Sequence, residues 1–159
     1  MNKILAAILL GSAFLSAPAL AEPYIGAGIG MANTDGQHFS YKLFTGYQII
    51  QNVGVELAYT DLGSYRSAAA KAISFAVVGT LPLNAEWNLT GKIGNTANNT
   101  KFSGDATHST MMTAVGASWN YEKKMVVSLE YEDYGKLHSI ASVPSTSATN
   151  LTLNGKYSF

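Results

Sequence analysis

The chain has no cysteine, few prolines and little charge. It contains 159 residues, of which 4 are proline and 13% are Asp, Glu, Lys or Arg. The absence of cysteine excludes a disulfide scaffold, a cysteine-ligated metal and a lipid-modified N-terminal cysteine. A soluble domain usually carries about 25% charged residues, so this chain has too little charge for a protein that meets water on all sides. Its 10 basic and 10 acidic residues give a formal net charge of zero, which predicts no nucleic-acid partner.

Long apolar runs are also lacking after the first residues, so we expect no membrane-spanning helix there. Residues 1–21 have the pattern of a secretory signal peptide. A positive start at Lys3 precedes an apolar stretch over residues 4–15 and a small-x-small motif that ends at Ala21. The apolar stretch is too short for a transmembrane helix, which needs about 20 residues. We therefore expect cleavage after Ala21 and a single domain over residues 22–159.

The rest of the chain alternates apolar and polar residues with a period of two, which is typical of β-strands. Eight such segments are present, most of them near the ~9–11 residues that a tilted membrane strand needs. They cover residues 24–31, 39–49, 53–61, 72–81, 86–95, 110–120, 125–134 and 149–159. Short turns alternate with longer connections at 32–38, 62–71, 96–109 and 135–148. This pattern predicts an all-β fold, an eight-stranded antiparallel up-and-down transmembrane β-barrel whose first strand pairs with its last.

One face of this alternation is apolar, and the other is small and polar. The polar face consists mainly of Gly, Ser, Thr and Asn, which suits the crowded inside of an eight-stranded barrel better than a surface in water. We therefore expect the apolar face to contact lipid, whereas a soluble periplasmic carrier would enclose it. Aromatic residues of this face gather near the strand ends, as in the two interfacial girdles of membrane barrels. The predicted girdle residues are Tyr47, Tyr59, Trp87, Trp119, Tyr131 and Tyr157.

Charged residues on the polar face fall near mid-strand, at Lys42, Glu56, Lys92 and Glu130. An unpaired charge inside a barrel is costly, so we expect these side chains to pair with one another or to be hydrated. One interpretation is an ion-pair network that fills the lumen. The alternative is a narrow pore for ions or small solutes, because inward charges set selectivity in wider barrels.

The chain resembles the transmembrane domain of the OmpA-like outer-membrane proteins and the small OmpX-type barrels. The likeness is carried by GYQ at 46–48, GVELAYTDLG at 54–63, SLEY at 128–131 and LTLNGKYSF at 151–159. It implies a barrel in the outer membrane of a Gram-negative bacterium, with periplasmic termini and the longer loops outside. We expect the barrel domain alone, without the peptidoglycan-binding domain that larger members place after it.

The same resemblance implies a C-terminal assembly signal and a lumen ion-pair cluster. The barrel-assembly machinery reads an alternating apolar terminus that ends in Phe, which here corresponds to Leu151, Leu153, Tyr157 and Phe159. Glu56 and Glu130 match carboxylates of the family. The basic partners do not carry over, because those positions hold Val77 or Val78 and Ser128. The implied partners are this machinery and periplasmic chaperones during biogenesis, and then outer-membrane lipid and lipopolysaccharide.

Catalytic and metal sites are not predicted. A lipid-modifying enzyme such as a lipid A deacylase would need a Ser and a His with an orienting carboxylate. The histidines, His38, His108 and His138, lie in or beside the predicted long loops and lack zinc-site spacing. His138 and Ser139 are neighbours, so an extended chain would point them to opposite faces. We expect no cofactor and a non-enzymatic barrel that serves envelope integrity or surface interaction and adhesion through its loops, with an unidentified surface ligand.

Overall fold

The computed structural model describes residues 22–34, 36–65, 68–101, 105–137 and 146–159. The predicted signal peptide, His138 and Ser139 lie outside this range. The described chain forms β1 (Glu22–Asn33), β2 (Gln37–Ile50), β3 (Val53–Tyr65), β4 (Ala68–Pro82), β5 (Trp87–Lys101), β6 (Asp105–Glu122), β7 (Met125–Leu137) and β8 (Thr146–Ser158). No helix in this part of the chain is long and apolar enough to cross a membrane.

Each strand is antiparallel to the next, and β1 also pairs with β8, so the sheet closes into a barrel. At mid-strand, Ile29 of β1 lies between Tyr41 of β2 and Leu153 of β8. Closure satisfies the backbone N–H and C=O groups that would otherwise face hydrocarbon at an open edge. The predicted eight-stranded barrel and the pairing of its first and last strands are confirmed.

The apolar side chains of the alternation point away from the barrel interior. Leu129 and Leu153 are 52% and 53% exposed, whereas the adjacent Ser128 and Thr152 are 9% and 0% exposed. In a soluble domain the large apolar residues would be the buried ones. The reversed distribution confirms the predicted facing, with the apolar side outward and the small polar side in the lumen.

The strands reach further into the predicted long connections than the alternation indicates. The expected loop at 96–109 contains the end of β5 and the start of β6, with Lys101 opposite Asp105. This connection is therefore shorter than predicted, and so are the predicted connections at 32–38, 62–71 and 135–148. The sequences are rich in Asn, Ser and Thr, as loops are, but strand preference depends on the surroundings. Beyond the apolar belt a paired backbone tolerates polar side chains on both faces.

Two Asp-x-Gly sequences form matching bulges on the long-loop side of the barrel. Oδ1 of Asp61 accepts a hydrogen bond from N of Gly63 at 2.9 Å, and Oδ1 of Asp133 accepts one from N of Gly135 at 2.8 Å. The glycines have φ values of +81° and +72°, which cost other residues about 1–2 kcal/mol. The strand register shifts at both places. Beyond these bulges, β3 pairs with β4 and β7 pairs with β8 in a shifted register.

Candidate functional site

The structure brings the four predicted lumen charges together in the middle of the barrel. Nζ of Lys92 lies 2.8 Å from Oε1 of Glu56 and 2.8 Å from Oε2 of Glu130. Nζ of Lys42 lies 3.3 Å and 3.5 Å from the same two atoms. All four residues are at most 6% exposed. Each buried charge therefore has opposite charges beside it, which offsets part of the cost of removing it from water.

Glu132 completes this network, although the sequence reasoning missed it. Its Oε1 lies 2.5 Å from Nζ of Lys42, and neither side chain is exposed. Glu132 lies two residues after Glu130 on β7, so the period of two was a signal that places it in the lumen. We call Lys42, Lys92 and the three glutamates the lumen network. With two lysines and three glutamates, its formal charge is −1.

The basic members of the lumen network come from β2 and β5 and not from the positions that the resemblance indicated. Ser128 instead donates a hydrogen bond from its Oγ to Oε1 of Glu130 at 3.2 Å. Val77 is 45% exposed on the outer face. The carboxylates of Glu56 and Glu130 are thus paired with Lys42 and Lys92. The resemblance implied basic partners at other positions.

Two aromatic rings flank the lumen network. The ring centroid of Phe44 lies 5.1 Å from Nζ of Lys42 and 5.6 Å from Nζ of Lys92, so the ring face attracts both ammonium groups. Tyr24 packs edge-on against Phe44 with 6.4 Å between the ring centroids. Its hydroxyl lies 3.4 Å from Oε2 of Glu56. These contacts hold the lysine ammonium groups between the carboxylates and the Phe44 ring.

The half of the lumen beside the long connections is filled by a mainly apolar cluster. Leu62 and Tyr134, the central residues of the two Asp-x-Gly sequences, are fully buried in it, and Met112 is 1% exposed. We call this set the loop-side cluster; it consists of Ala32, Leu62, Ala70, Ala72, Ala76, Met112, Tyr134 and Ala148. The Tyr134 hydroxyl donates a hydrogen bond to Oε2 of Glu132 at 2.9 Å. The cluster and the network are therefore in direct contact, and we expect them together to close the lumen.

The other half of the lumen, beside the short turns, holds a cavity of about 350 Å³. We call this cavity the vestibule. Glu56, Lys92 and Glu130 of the lumen network form its floor, and the turn residues Gln51 and Lys123 lie at its mouth. Phe44, Ile50, Val78 and Val126 are the apolar side chains of the wall, and its amide and hydroxyl side chains are at Gln48, Thr80, Asn88, Thr90, Ser118, Asn120, Ser128 and Ser158. The vestibule is thus a polar cavity with a charged floor.

The predicted girdle residues lie on the outer face of the barrel. Trp87 and Trp119 are register partners, and their rings stack with centroids 6.4 Å apart on the short-turn side. On the long-loop side, Tyr59 lies 6.3 Å from Tyr41 between ring centroids. Tyr47 is half-buried, whereas Tyr131 and Tyr157 are 50% and 43% exposed. Their function as interfacial anchors stays a prediction.

The residues of the predicted assembly signal also face outward. Exposure is 47% for Leu151, 53% for Leu153, 43% for Tyr157 and 66% for Phe159. They occupy one side of β8 and the residue after it. Their recognition by the barrel-assembly machinery stays a prediction.

The described histidines belong to no candidate metal cluster. His38 is the second residue of β2 and His108 the fourth of β6, so both lie in the strands, close to the shortened connections. Within the described ranges, no group of three or more His, Cys, Asp or Glu residues could hold a metal ion. His138 and Ser139 fall outside those ranges.

Comparison with known proteins identifies the family of this barrel. A family model described as outer membrane protein beta-barrel domain matches residues 5–159. The chain belongs to this outer-membrane barrel family. The exposed apolar belt is what a member needs in order to contact lipid. A search of curated protein sequences gives no match.

Solved structures with this barrel fold include proteins of different function. Ail, the attachment invasion locus protein of Yersinia pestis, crystallised with the heparin analogue sucrose octasulfate, is 18% identical with a TM-score of 0.56, over 87% of this chain and 97% of that chain. Neisserial surface protein A is 16% identical with a TM-score of 0.58, over 87% and 97%. The outer membrane enzyme PagL is 15% identical with a TM-score of 0.54, over 84% and 98%. The predicted family resemblance is confirmed, while the shared fold leaves catalysis to be decided from the site.

Proposed function

We propose that this chain is a non-enzymatic outer-membrane protein of a Gram-negative bacterium that acts in surface interaction or adhesion at the long-loop side of its barrel. In this proposal residues 1–21 are a cleaved export signal and the termini face the periplasm. Family membership supports the outer membrane. The names of two structural neighbours, an attachment invasion locus protein and a surface protein, support the surface role. The observation that carries the proposal is that β6 continues beyond its described register with β7.

The candidate edge is the part of β6 that lies beyond its register pairs with β7. Pairing with β7 ends at Thr113, opposite Asp133, whereas pairing with β5 continues to Asp105, opposite Lys101. In the described residues, the register of β6 with β7 therefore includes none of Asp105–Met112, although β7 still contacts the inner end of this stretch, where Oγ1 of Thr110 donates to O of Tyr134 at 2.7 Å. We propose that residues 105–109 present a free edge, which is a template for a strand from another chain. A surface partner that adds an extended segment would fit it.

The edge lies at the end of the apolar belt. Met111, 59% exposed, is the last large apolar residue on the outer face of β6 before its start at Asp105. The preceding stretch, residues 105–110, is polar apart from one alanine. Water and not hydrocarbon is the medium in which such a stretch is stable. The free backbone groups would therefore be accessible from the aqueous side.

The direction of the free backbone groups follows from the alternation of donors along β6. N of Asn120 donates to O of Glu86 on the β5 side at 2.7 Å, and the β5–β6 register is uninterrupted. Since donors alternate in an antiparallel pair, even-numbered residues of β6 donate toward β5. The N–H groups of Thr107 and Ser109 then point away from β5, to the side of the proposed free edge. A partner strand can accept hydrogen bonds from them without disturbing the β5–β6 pairing.

The test compares two substitutions at one edge position in a Gram-negative host that produces the full chain. Ser109→Pro removes a free-edge donor, and proline is tolerated at strand edges, whereas Ser109→Thr keeps the donor. We expect cells with the wild-type chain or Ser109→Thr to attach to epithelial cells or matrix-coated surfaces more than cells without the chain. Ser109→Pro should lower attachment to the level without the chain, at equal amounts in the outer membrane. Equal attachment with and without the wild-type chain would overturn the adhesive role.

The non-enzymatic part of the proposal has its own test, because PagL shows that this fold also occurs in an enzyme. Purified protein is incubated with lipopolysaccharide, and the lipid A acyl chains are measured by mass spectrometry. We expect their number to remain unchanged. Released or transferred acyl chains would replace the proposal with the lipid-modifying alternative.

A further inference from the structure

Lys156 is a lumen cation that the lumen network does not include. It lies on β8 and lines the vestibule, with Nζ 4.8 Å from the ring centroid of Tyr24. In the part of the chain that the structure describes, no ion pair joins Lys156 to a carboxylate, whereas Lys42 and Lys92 each have at least two. A cation over a ring face keeps its N–H donors available, since the ring attracts the charge without accepting three hydrogen bonds. Lys156 can therefore bind a further anionic group inside the vestibule.

The wall around Lys156 offers both donors and acceptors of hydrogen bonds. Nδ2 of Asn88 donates to Oδ1 of Asn120 at 3.1 Å, and Thr80, Thr90 and Ser118 add hydroxyl groups to the lining. The volume of about 350 Å³ is at the lower end of the range for small-molecule sites, roughly 300–1,000 Å³. Such a wall suits a solute that carries several hydroxyl groups better than an apolar one.

The charges of the floor limit the charge of the occupant. The carboxylates of Glu56 and Glu130 line the vestibule together with Lys92, and Glu22 and Lys123 also line it. The lumen network carries one carboxylate more than it has lysines. A dianion such as a phosphate ester would be repelled by these carboxylates, while a single carboxylate is balanced by the ammonium of Lys156. The favoured group is therefore a monoanion.

We propose that the vestibule binds a small hydroxylated monocarboxylate, which enters from the short-turn side and places its carboxylate on Nζ of Lys156. Its hydroxyl groups contact the amide and hydroxyl side chains of the wall. The lumen network at the floor and the loop-side cluster behind it prevent passage through the barrel. The vestibule is then a receptor site and not part of a pore.

The test uses the full chain folded in detergent micelles, with gluconate as the probe and the uncharged sorbitol as its control. Backbone amide NMR signals of Asn88, Ser128 and Lys156 are followed during titration. We expect gluconate to shift them saturably and sorbitol to leave them unchanged at equal concentration. Lys156→Gln should weaken gluconate binding about tenfold, as expected for loss of one charge-assisted hydrogen bond, while Lys124→Gln, on the adjacent turn, should leave it unchanged.

A second variant keeps the test decisive if Lys156→Gln does not fold. Thr80→Phe fills the vestibule from its wall while Lys156 remains, and we expect it to abolish the saturable shifts. Folding of each variant is checked by the amide spectrum of loop-side residues such as Thr60. Shifts that do not saturate, that sorbitol reproduces, or that persist equally in Lys156→Gln or Thr80→Phe would overturn the proposal and leave the vestibule a water-filled cavity.

Discussion

Nζ of Lys42 and Oε1 of Glu132 meet inside the barrel at 2.5 Å. Their strands, β2 and β7, are separated around the wall by β1 and β8, so only side chains that cross the interior can form this contact. The pair therefore depends on closure of the barrel as well as on opposite charge. Because both side chains are fully buried, each is the main compensation for the desolvation of the other.

Replacing Glu132 by glutamine tests this pair. Lys42 would keep Glu56 and Glu130 at 3.3 Å and 3.5 Å but lose its shortest contact. We expect Glu132→Gln to lower the free energy of unfolding by about 1.5–3 kcal/mol, the usual contribution of a hydrogen bond to a charged group. The measurement is urea unfolding in lipid vesicles. Glu122→Gln, at an exposed position by a short turn, is the control and should change stability by less than about 0.5 kcal/mol.

Two adjacent residues of β7 test which face meets lipid. Leu129→Arg places a charge on the outer face near mid-strand and should cost about 2–4 kcal/mol. Ser128→Arg points into the vestibule beside Glu130, to which Ser128 already donates a hydrogen bond, and should cost clearly less. The measurement is the fraction of each variant inserted into vesicles and its unfolding free energy. Equal damage from both substitutions would contradict the facing of this strand.

Gly26 leaves room for the ring of Phe44, and a substitution at Gly26 tests whether the barrel needs this space. A Cβ there would overlap the Phe44 ring and approach the backbone O of Gly155 to 2.7 Å. We expect Gly26→Ala to destabilise the barrel by about 1–3 kcal/mol, as overpacking of a filled interior does. Gly155→Ala is the matched control, because a Cβ at Gly155 has no neighbour within 4 Å and should be neutral or stabilising by up to about 1 kcal/mol. A larger loss from Gly155→Ala would show that the glycine pattern has another cause.

The closed lumen predicts a result in planar bilayers. Both the lumen network and the loop-side cluster would have to open before ions could pass, so we expect no steady conductance from the purified chain. Lys42→Ala and Glu56→Ala should also remain closed, because Tyr134, Leu62 and Met112 still fill the loop-side half. Steady single-channel steps from the wild-type chain would instead support the narrow-pore alternative.

The sequence predicted the barrel because the period of two is a local property. Outward and inward residues such as Leu129 and Ser128 differ in polarity wherever lipid and lumen lie on opposite sides of a strand. Beyond the belt this contrast disappears, so the extension of β5 to Lys101 and β6 to Asp105 had no local signal. Polar residues there pair through their backbones, which the side-chain pattern does not report.

The lumen site was predicted in part for a similar reason. The alternation alone places Lys42, Glu56, Lys92 and Glu130 inside, and it applies equally to Glu132. Which lysine contacts which carboxylate depends on side-chain reach across several strands, and no spacing along the chain encodes that reach. The vestibule likewise exists because side chains leave one half of the lumen partly empty. This can be seen only when all eight strands are assembled.

The most direct test of the membrane orientation uses single cysteines, which the natural chain lacks. Spin labels are attached at Ile93→Cys on the outer face and at Thr90→Cys in the vestibule, in vesicles, and their collision rates with oxygen and with a water-soluble nickel chelate are compared by electron paramagnetic resonance. We predict that oxygen, which concentrates in lipid, reaches the label at position 93 more readily than the chelate does, and that the label at position 90 shows the opposite preference. A label at 93 that prefers the chelate would contradict the assignment of the apolar face to lipid.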